Sequence, residues 1–132
     1  MARSWLDAFT KNWADLTEND PDPKLRPVSL PMPPAEAVTW LAGVVAGLNR
    51  WEVESADPVA ATLHAIHITI LWRFRDDIHM RFDPEGTGTR LFAHSQARLG
   101  KGDLGKNPRN LRELTDALRQ ALQTVPDIRH DR

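Results

Sequence analysis

Two adjacent carboxylates and one arginine are the residues best suited to chemistry in this sequence. Asp76 and Asp77 lie side by side, and Arg98 closes a polar stretch further along the chain. Two carboxylates beside a guanidinium could hold a polar or anionic ligand, or could act as a general acid and a general base. The residue types thus favour a polar site, and the elements around them decide whether they meet.

The glycine-rich loop after Arg98 adds two more candidates. Asp103 lies in this loop, and Asn107 is placed to cap the helix that follows. The predicted ligand-binding cluster is therefore Asp76, Asp77, Arg98, Asp103 and Asn107. The same residues could instead be structural, with Arg98 pinning a hairpin while Asp103 and Asn107 satisfy backbone amides. A catalytic pair is the least favoured interpretation, because adjacent residues on a strand point to opposite faces.

Alternating apolar residues predict the strands that carry this cluster. Period-two patterns cover Trp51 to Val53, Ala61 to Leu71, Ile78 to Phe82 and Leu91 to Ser95, and Glu85-Gly86-Thr87-Gly88 forms a hairpin turn between the last two. This turn predicts that His79 lies opposite His94 and Asp77 opposite Gln96, with Arg98 diagonal to Asp77. A turn near Arg73 would also bring His67 opposite His79.

One helix is predicted before this meander in the sequence, and another after it. One begins at Pro34 and ends near Asn49, and another begins at Asn107-Pro108 and is stopped by Pro126. Val28 to Leu30 could add a short edge strand. The fold class is therefore α+β, with a four- to five-stranded antiparallel sheet and helices packed on one face.

An aromatic stripe predicts a further helix at the N-terminus. Ser4 could cap it, and the apolar members Trp5, Leu6, Phe9, Trp13 and Leu16 follow at helical spacing. The stripe could dock on the domain's own core, or Trp5, Phe9 and Trp13 could bind a protein partner or a second copy; a membrane-surface helix is less favoured. Six prolines between residues 17 and 34 suggest a linker. The expected boundaries are 1–23 for the N-terminal helix and the start of the linker, 24–126 for the domain and 127–132 for a tail.

Three short motifs resemble a known family. They are Phe74-Arg75-Asp76-Asp77-Ile78, then His94-Ser95-Gln96-Ala97-Arg98, then Gly100 with Asp103-Leu104-Gly105-Lys106-Asn107. The chain from about Lys24 to Leu122 resembles the domain of unknown function 1499 family, from whose pattern His94, Ala97 and Lys106 depart. The resemblance implies an α+β domain, found in bacteria and plastids, with no established activity.

Three further patterns are weaker. Gly100 to Asn107 approaches a phosphate-binding loop, but asparagine replaces the metal-binding hydroxyl, so no nucleotide hydrolysis is expected. His67, His79 and His94 could hold zinc if they shared a face, although a plain surface cluster is favoured and no metal site is predicted. Arg73, Arg75, Arg81 and Arg98 with Phe92 could contact RNA, but Asp77 interrupts that face, so no nucleic-acid partner is expected.

Composition excludes several other classes. The chain has 132 residues, with 17 lysines and arginines against 18 acidic residues and no cysteine, so it lacks a global basic field, disulfides and thiolate chemistry. No export signal or membrane span is predicted, and the cytoplasm is the expected compartment. We therefore expect a non-catalytic domain without a cofactor that binds a partner protein or a small ligand. The alternatives are an enzyme using Asp76, Asp77 and Arg98, or a carrier of hydrophobic ligands.

Overall fold

The computed structural model describes residues 13–70, 73–98 and 106–125, and it has an α+β architecture. The strands are β1 (Trp13–Asp15), β2 (Val28–Leu30), β3 (Trp51–Asp57), β4 (Thr62–Ile68), β5 (Arg75–Glu85) and β6 (Gly88–Ala97). Together they form a six-stranded antiparallel sheet in the order β1-β6-β5-β4-β3, with β2 also paired to β6. The helices are α1 (Pro34–Ala46) and α2 (Lys106–Leu122), and a short 3-10 helix covers Pro23–Leu25.

The predicted hairpin between β5 and β6 is confirmed. Glu85 pairs with Gly88 at its tip, and Gly86 has a φ of 59°, a left-handed conformation that favours glycine. His79 lies opposite His94, and Asp77 lies opposite Gln96. The alternation of side chains, together with a tight turn, thus determined the register of this hairpin.

The expected pairing of His67 with His79 is wrong. His64 is the residue opposite His79, and His67 lies opposite Asp76. The connection between β4 and β5 is closed by the backbone N–H of Thr69, which donates to the carbonyl of Phe74 at 2.9 Å. Its midpoint therefore falls before Arg73, and the register of β4 moves by three residues. An odd shift also changes the face, so that His67 points to the opposite side of the sheet from His79.

The predicted N-terminal helix is wrong at its C-terminal end, since Trp13–Asp15 is a strand paired with β6. Ala14 and Leu16 are buried while Trp13 and Asp15 face the other way, which is a period of two within the helical stripe. The N–H of Leu16 also donates to the carbonyl of Ala93 at 3.0 Å. The edge of β6 offers backbone N–H and C=O groups that pair with an adjacent strand but not with a helix, and this pairing favours the strand at Trp13–Asp15. The remainder of the predicted helix, residues 1–12, lies outside the described residues.

The proline-rich stretch is ordered by short elements. Val28–Leu30 forms the predicted strand, and the 3-10 helix, which was not predicted, is capped by Asp22, whose side chain accepts from the N–H of Lys24 at 2.9 Å. Helix α1 begins at Pro34 as predicted and ends at Ala46, three residues early. The sheet has one strand more than the four to five expected, because Trp13–Asp15, predicted as part of a helix, pairs with β6.

Both helices cover the same side of the sheet, as predicted, and we call this side the inner face. Its core joins apolar residues of α1, including Leu41 and Val45, to Leu111, Leu114 and Leu118 of α2 and to strand residues such as Phe82 and Leu91. The other side, the outer face, carries Asp77, His79 and Arg81 of β5. No helix in the described part of the chain is long and apolar enough to cross a membrane.

Candidate functional site

The predicted polar cluster is divided by the sheet. Asp76 points to the inner face and is fully buried, and its Oδ2 accepts a hydrogen bond from Nδ2 of Asn110 at 2.9 Å. Asp77, its neighbour, points to the outer face. The two carboxylates therefore lie on opposite sides of β5, as the alternation of a strand requires.

Asp77 is the centre of an ionic cluster on the outer face. Nε of Arg98 donates to its Oδ2 at 2.9 Å and an Nη of Arg98 donates to Oδ1 at 3.0 Å, so the diagonal contact predicted from the register is present. Nε2 of His64 lies 2.7 Å from the same Oδ1. The hydrogen bonds from Arg98 lower the pKa of Asp77 from 3.8 to about 2, against the opposing effect of desolvation and with help from His64.

The low pKa of Asp77 predicts an acid-dependent loss of stability. A folded-state pKa below the unfolded value stabilises the fold above the unfolded pKa, and this contribution is lost as the pH falls from 3.8 to about 2. We expect the difference in unfolding free energy between the wild type and Asp77→Asn to shrink over that range, measured by denaturant titration at several pH values. Arg98→Gln should weaken the pH dependence, and a difference that is constant with pH would contradict the assignment.

The side chains of Asp103 and Asn107, the last two members of the predicted cluster, lie outside the described part of the chain. Asp103 lies outside the described residues, and Asn107 lies in the first turn of α2 with a side chain outside the description. Asn110, one turn later, donates a hydrogen bond to Asp76. Sequence reasoning missed it, although an asparagine on the same helix face as Leu111 and Leu114 was a usable signal, because a polar residue on an apolar stripe needs a buried partner.

A second polar contact joins α2 to the sheet on the inner face. Nε1 of Trp51 donates to Oε2 of Glu113 at 2.9 Å, and Nε2 of His67 lies 3.6 Å from Oε1 of the same carboxylate. The rings of Trp51 and His67 meet edge to face, with centroids 5.2 Å apart. His67 therefore belongs to the joint between helix and sheet, and it cannot share a site with His79.

The outer face carries a row of three histidines on neighbouring strands. His64, His79 and His94 lie directly opposite one another across β4, β5 and β6. His64 and His79 stack with ring centroids 4.2 Å apart and planes inclined by 22°. The predicted register supplied His79 and His94, and only the observed β4 pairing added His64.

His94 contacts partners that the other two histidines do not contact. Its Nδ1 lies 2.6 Å from Oδ1 of Asp15 in β1, and its Nε2 lies 3.1 Å from Oε1 of Gln96. Its ring stacks on Trp13, with centroids 5.8 Å apart. Desolvation opposes the charged form, but the hydrogen bonds to Gln96 and Asp15 outweigh it and raise the pKa of His94 above 6.5.

His79 has a different environment in the middle of the row. Desolvation lowers the pKa of His79 below 6.5, and the nearby His64 acts in the same direction. His79 is nevertheless an exposed residue. Its imidazole is therefore mainly neutral at pH 7, with one ring nitrogen able to donate and the other able to accept.

The histidine row forms the floor of an open depression of about 790 Å³. Arg81 and Phe92 line it beside the histidines, and the guanidinium of Arg81 lies 4.4 Å from the centroid of the Phe92 ring. Arg81 is also held by Asp83, through Nε at 2.9 and 3.1 Å from the two carboxylate oxygens. The remaining polar lining includes Asp15, Thr17, Ser55 and Thr62.

The geometry of the histidine row differs from that of a metal centre. Within residues 13–70, 73–98 and 106–125, no group of three or more histidine, aspartate or glutamate side chains is placed to hold a metal ion. His64 leans toward Asp77 and His94 toward Asp15, so the ring nitrogens do not converge. The phosphate-loop-like stretch before Lys106 lies outside the described residues.

Comparisons with known proteins address the fold and the family. The crystal structure of Ara h 8.0201 is similar, with a TM-score of 0.51 and 9% sequence identity over 76% of this chain and 96% of that chain. At this identity the similarity shows the fold alone. No curated protein matches the sequence.

The family model described as "Protein of unknown function (DUF1499)" matches residues 7–118. This match extends the predicted resemblance beyond Lys24 toward the N-terminus and includes β1. Since the match spans most of the sequence and the predicted motifs lie within it, the chain belongs to the DUF1499 family of proteins of unknown function.

Proposed function

We propose that this domain binds a small ligand in the depression on its outer face and does not transform it. The observation that carries the proposal is the row of His64, His79 and His94, which three strands bring together beside Phe92 and Arg81. Ligand sites are typically concave, of a few hundred to about 1,000 Å³, and combine aromatic surface with a few polar groups. The depression has these properties, and both helices lie on the other side of the sheet.

His79 is the residue most suited to contact such a ligand. Within the described part of the chain, its imidazole makes no side-chain hydrogen bond, whereas His64 and His94 each contact a carboxylate. A neutral, exposed imidazole can both donate to and accept from a bound molecule. We therefore assign His79 as the principal hydrogen-bonding residue, with His64 and His94 positioned by Asp77 and Asp15.

The enzymatic alternative has less support. Asp76 is fully buried beside Asn110, and Asp77 is occupied by Arg98 and His64 on the other face. A general acid and base pair needs both groups within reach of one substrate. In our proposal Asp77 and Arg98 instead hold His64 in the floor of the depression. That the predicted cluster contacts a ligand directly stays a prediction.

A hydrophobic-ligand carrier is also less supported. Such a carrier needs space between the sheet and the helices, and that region is where the large apolar side chains converge. Phe82, Leu41, Leu91, Leu111 and Leu114 are all less than 2% exposed and belong to one cluster. The supporting concavity lies on the other side of the sheet.

Partner binding through Trp5, Phe9 and Trp13 is a second candidate. The observation that favours it is the position of Trp13, which is half-buried and stacks on His94 at the border of the outer face. Trp5 and Phe9 lie outside the described residues. The compartment expected for this chain from its sequence is the cytoplasm, so a partner protein would be met there. Sedimentation of the full chain and of Trp13→Ala would test self-association, and fluorescence of the tagged chain in cells would test location.

A thermal-shift screen tests the proposed ligand site. A library of metabolite-sized compounds is added to the wild type, to His79→Leu and to Gln120→Ala, a matched surface change on the exposed side of α2. A ligand at 100 times its Kd stabilises the fold by about 2.7 kcal/mol. We expect at least one compound to raise the melting temperature of the wild type and of Gln120→Ala but not of His79→Leu. The proposal would be contradicted if every stabilising compound acted equally on the wild type and both variants, or if no compound in the library stabilised any of the three proteins.

A further inference from the structure

Arg81 has hydrogen-bond donors at the depression that its neighbours do not use. Its Nε donates to the two carboxylate oxygens of Asp83, at 2.9 and 3.1 Å. Within the described part of the chain, its two Nη groups meet no acceptor, and the ion pair with Asp83 is likewise made by Nε. A guanidinium has five N–H donors in one plane, so four of them are left for another molecule.

The neighbours of Arg81 nevertheless hold its guanidinium in position. It lies 4.4 Å from the centroid of the Phe92 ring, and Phe92 is its register partner on β6. The side chains of Arg81 and Asp83 are 60% and 41% exposed, so water screens their ion pair and leaves the cation able to attract a second anion. The Nη edge is therefore a held cationic fork, the arrangement that binds carboxylate and phosphate through paired hydrogen bonds.

His79 lies on the same strand and the same face as this fork. It precedes Arg81 by two residues in β5, and both side chains line the depression. Residues two apart on a strand have Cα atoms about 7 Å from each other. An oxyanion with hydrogen bonds of about 2.9 Å on either side is long enough to bridge such a pair.

The charged groups around the depression favour an anion over a cation. Among the described residues that line it, four can carry a positive charge, namely Arg81, His64, His79 and His94, and only Asp15 can carry a negative charge. Asp15 is already in contact with His94, since its Oδ1 lies 2.6 Å from Nδ1 of that ring. A cation would meet the guanidinium and the imidazoles, and a neutral ligand would leave the charge of Arg81 unused.

We propose that the depression binds the carboxylate or phosphate group of a small molecule, which accepts hydrogen bonds from the Nη groups of Arg81 and from the imidazole of His79. This inference rests on the proposed function and adds the chemical class of the ligand. Both kinds of group present several oxygens and a negative charge, and this shared chemistry is what Arg81 and His79 recognise.

An anion beside His79 should couple its binding to a proton. Desolvation and the nearby His64 and His94 lower the pKa of His79, and Asp77 acts against them. A bound anion adds to the effect of Asp77 and favours the protonated imidazole, as the charge of Arg81 is then partly compensated. Binding should therefore become stronger as the pH falls from about 8 to about 6.

Nuclear magnetic resonance titrations of the full chain test the ligand class. Three probes are added at constant ionic strength: sodium acetate, inorganic phosphate, and acetamide, which has the shape of acetate without its charge. We expect both anions to shift the amide signals of His79, Arg81 and Phe92, and acetamide to leave them in place. The tighter of the two anions indicates whether the natural ligand carries a carboxylate or a phosphate.

Variants test the assignment of each residue. Arg81→Gln should weaken the binding of both anions at least about tenfold, while Arg119→Gln, an exposed arginine of α2, should leave it unchanged. Asp83→Asn should strengthen binding, because it removes a competing carboxylate. His79→Gln keeps a donor but cannot take up a proton, so its affinity for acetate should rise less than that of the wild type between pH 8 and pH 6.

The other outcomes overturn the inference in distinguishable ways. If acetamide shifts the same signals as strongly as acetate, the anionic class is wrong and the proposed ligand site stands. Equal weakening by Arg81→Gln and Arg119→Gln would show that only the overall charge matters, which overturns the site at Arg81. If neither anion shifts these signals at about 50 mM while the compound screen finds a ligand at His79, the anionic class fails alone; if the screen also fails, so does the proposed function.

Discussion

Replacing Gly88 with alanine is expected to destabilise the domain strongly. A Cβ atom at this position would lie 2.3 Å from the backbone carbonyl oxygen of Leu30, which is far inside van der Waals contact. Leu30 belongs to β2, whose pairing with β6 places the two backbones side by side. Because the clash is with main chain, no rotation of a side chain relieves it. We expect a loss of about 3 kcal/mol in unfolding free energy, or roughly 10 °C in melting temperature.

The matched control is Gly43→Ala, which should have the opposite sign. Gly43 lies inside α1, and a Cβ atom there meets no atom within 4 Å. Alanine is favoured over glycine in a helix by about 1 kcal/mol, so this variant should be more stable than the wild type. Denaturant unfolding of both variants measures the contrast. Equal stability of Gly88→Ala and the wild type would show that β2 does not pack on β6 as described.

The second large effect is expected at Asn110. Its amide donates to the fully buried carboxylate of Asp76 at 2.9 Å, and Asn110 itself is only 2% exposed. Leucine has the same number and branching of side-chain non-hydrogen atoms but no donor, so Asn110→Leu removes a hydrogen bond from a buried carboxyl group. Breaking such a contact costs about 2–3 kcal/mol, because the acceptor cannot turn to water instead. Chemical denaturation of the variant at neutral pH tests this value.

Arg109→Ala provides the control for the same turn of α2. Arg109 is exposed, and surface changes of this kind usually alter stability by no more than about 0.5 kcal/mol. If Asn110→Leu were as stable as Arg109→Ala, the contact with Asp76 would not hold the helix to the sheet. A large effect at Asn110, combined with the burial of Asp76, would assign this half of the predicted polar cluster to folding.

Much of the fold could be predicted because local patterns specify it. The alternation in β5 and β6, with Gly86 at a turn that needs a positive φ, led to the correct register and hence to the contact between Asp77 and Arg98. The start of α1 at Pro34 and the apolar stripe of α2 followed in the same way from helix signals and periodicity. Each of these features depends on residues that are close in sequence or joined by one short turn.

The candidate site required information that no local pattern contains. Trp13 to Leu16 fits both a helix and a strand, and the open side of β6, some eighty residues away, decided for the strand. The connection between β4 and β5 is not a tight turn, so its sequence does not fix the register of the two strands. The prediction therefore paired His79 with His67, whereas the structure pairs it with His64. A shift by an odd number of residues moves a side chain to the other face of a sheet. The sequence alone thus determined the α+β fold and the β5–β6 hairpin, while long-range strand pairing decided which histidines meet on the outer face.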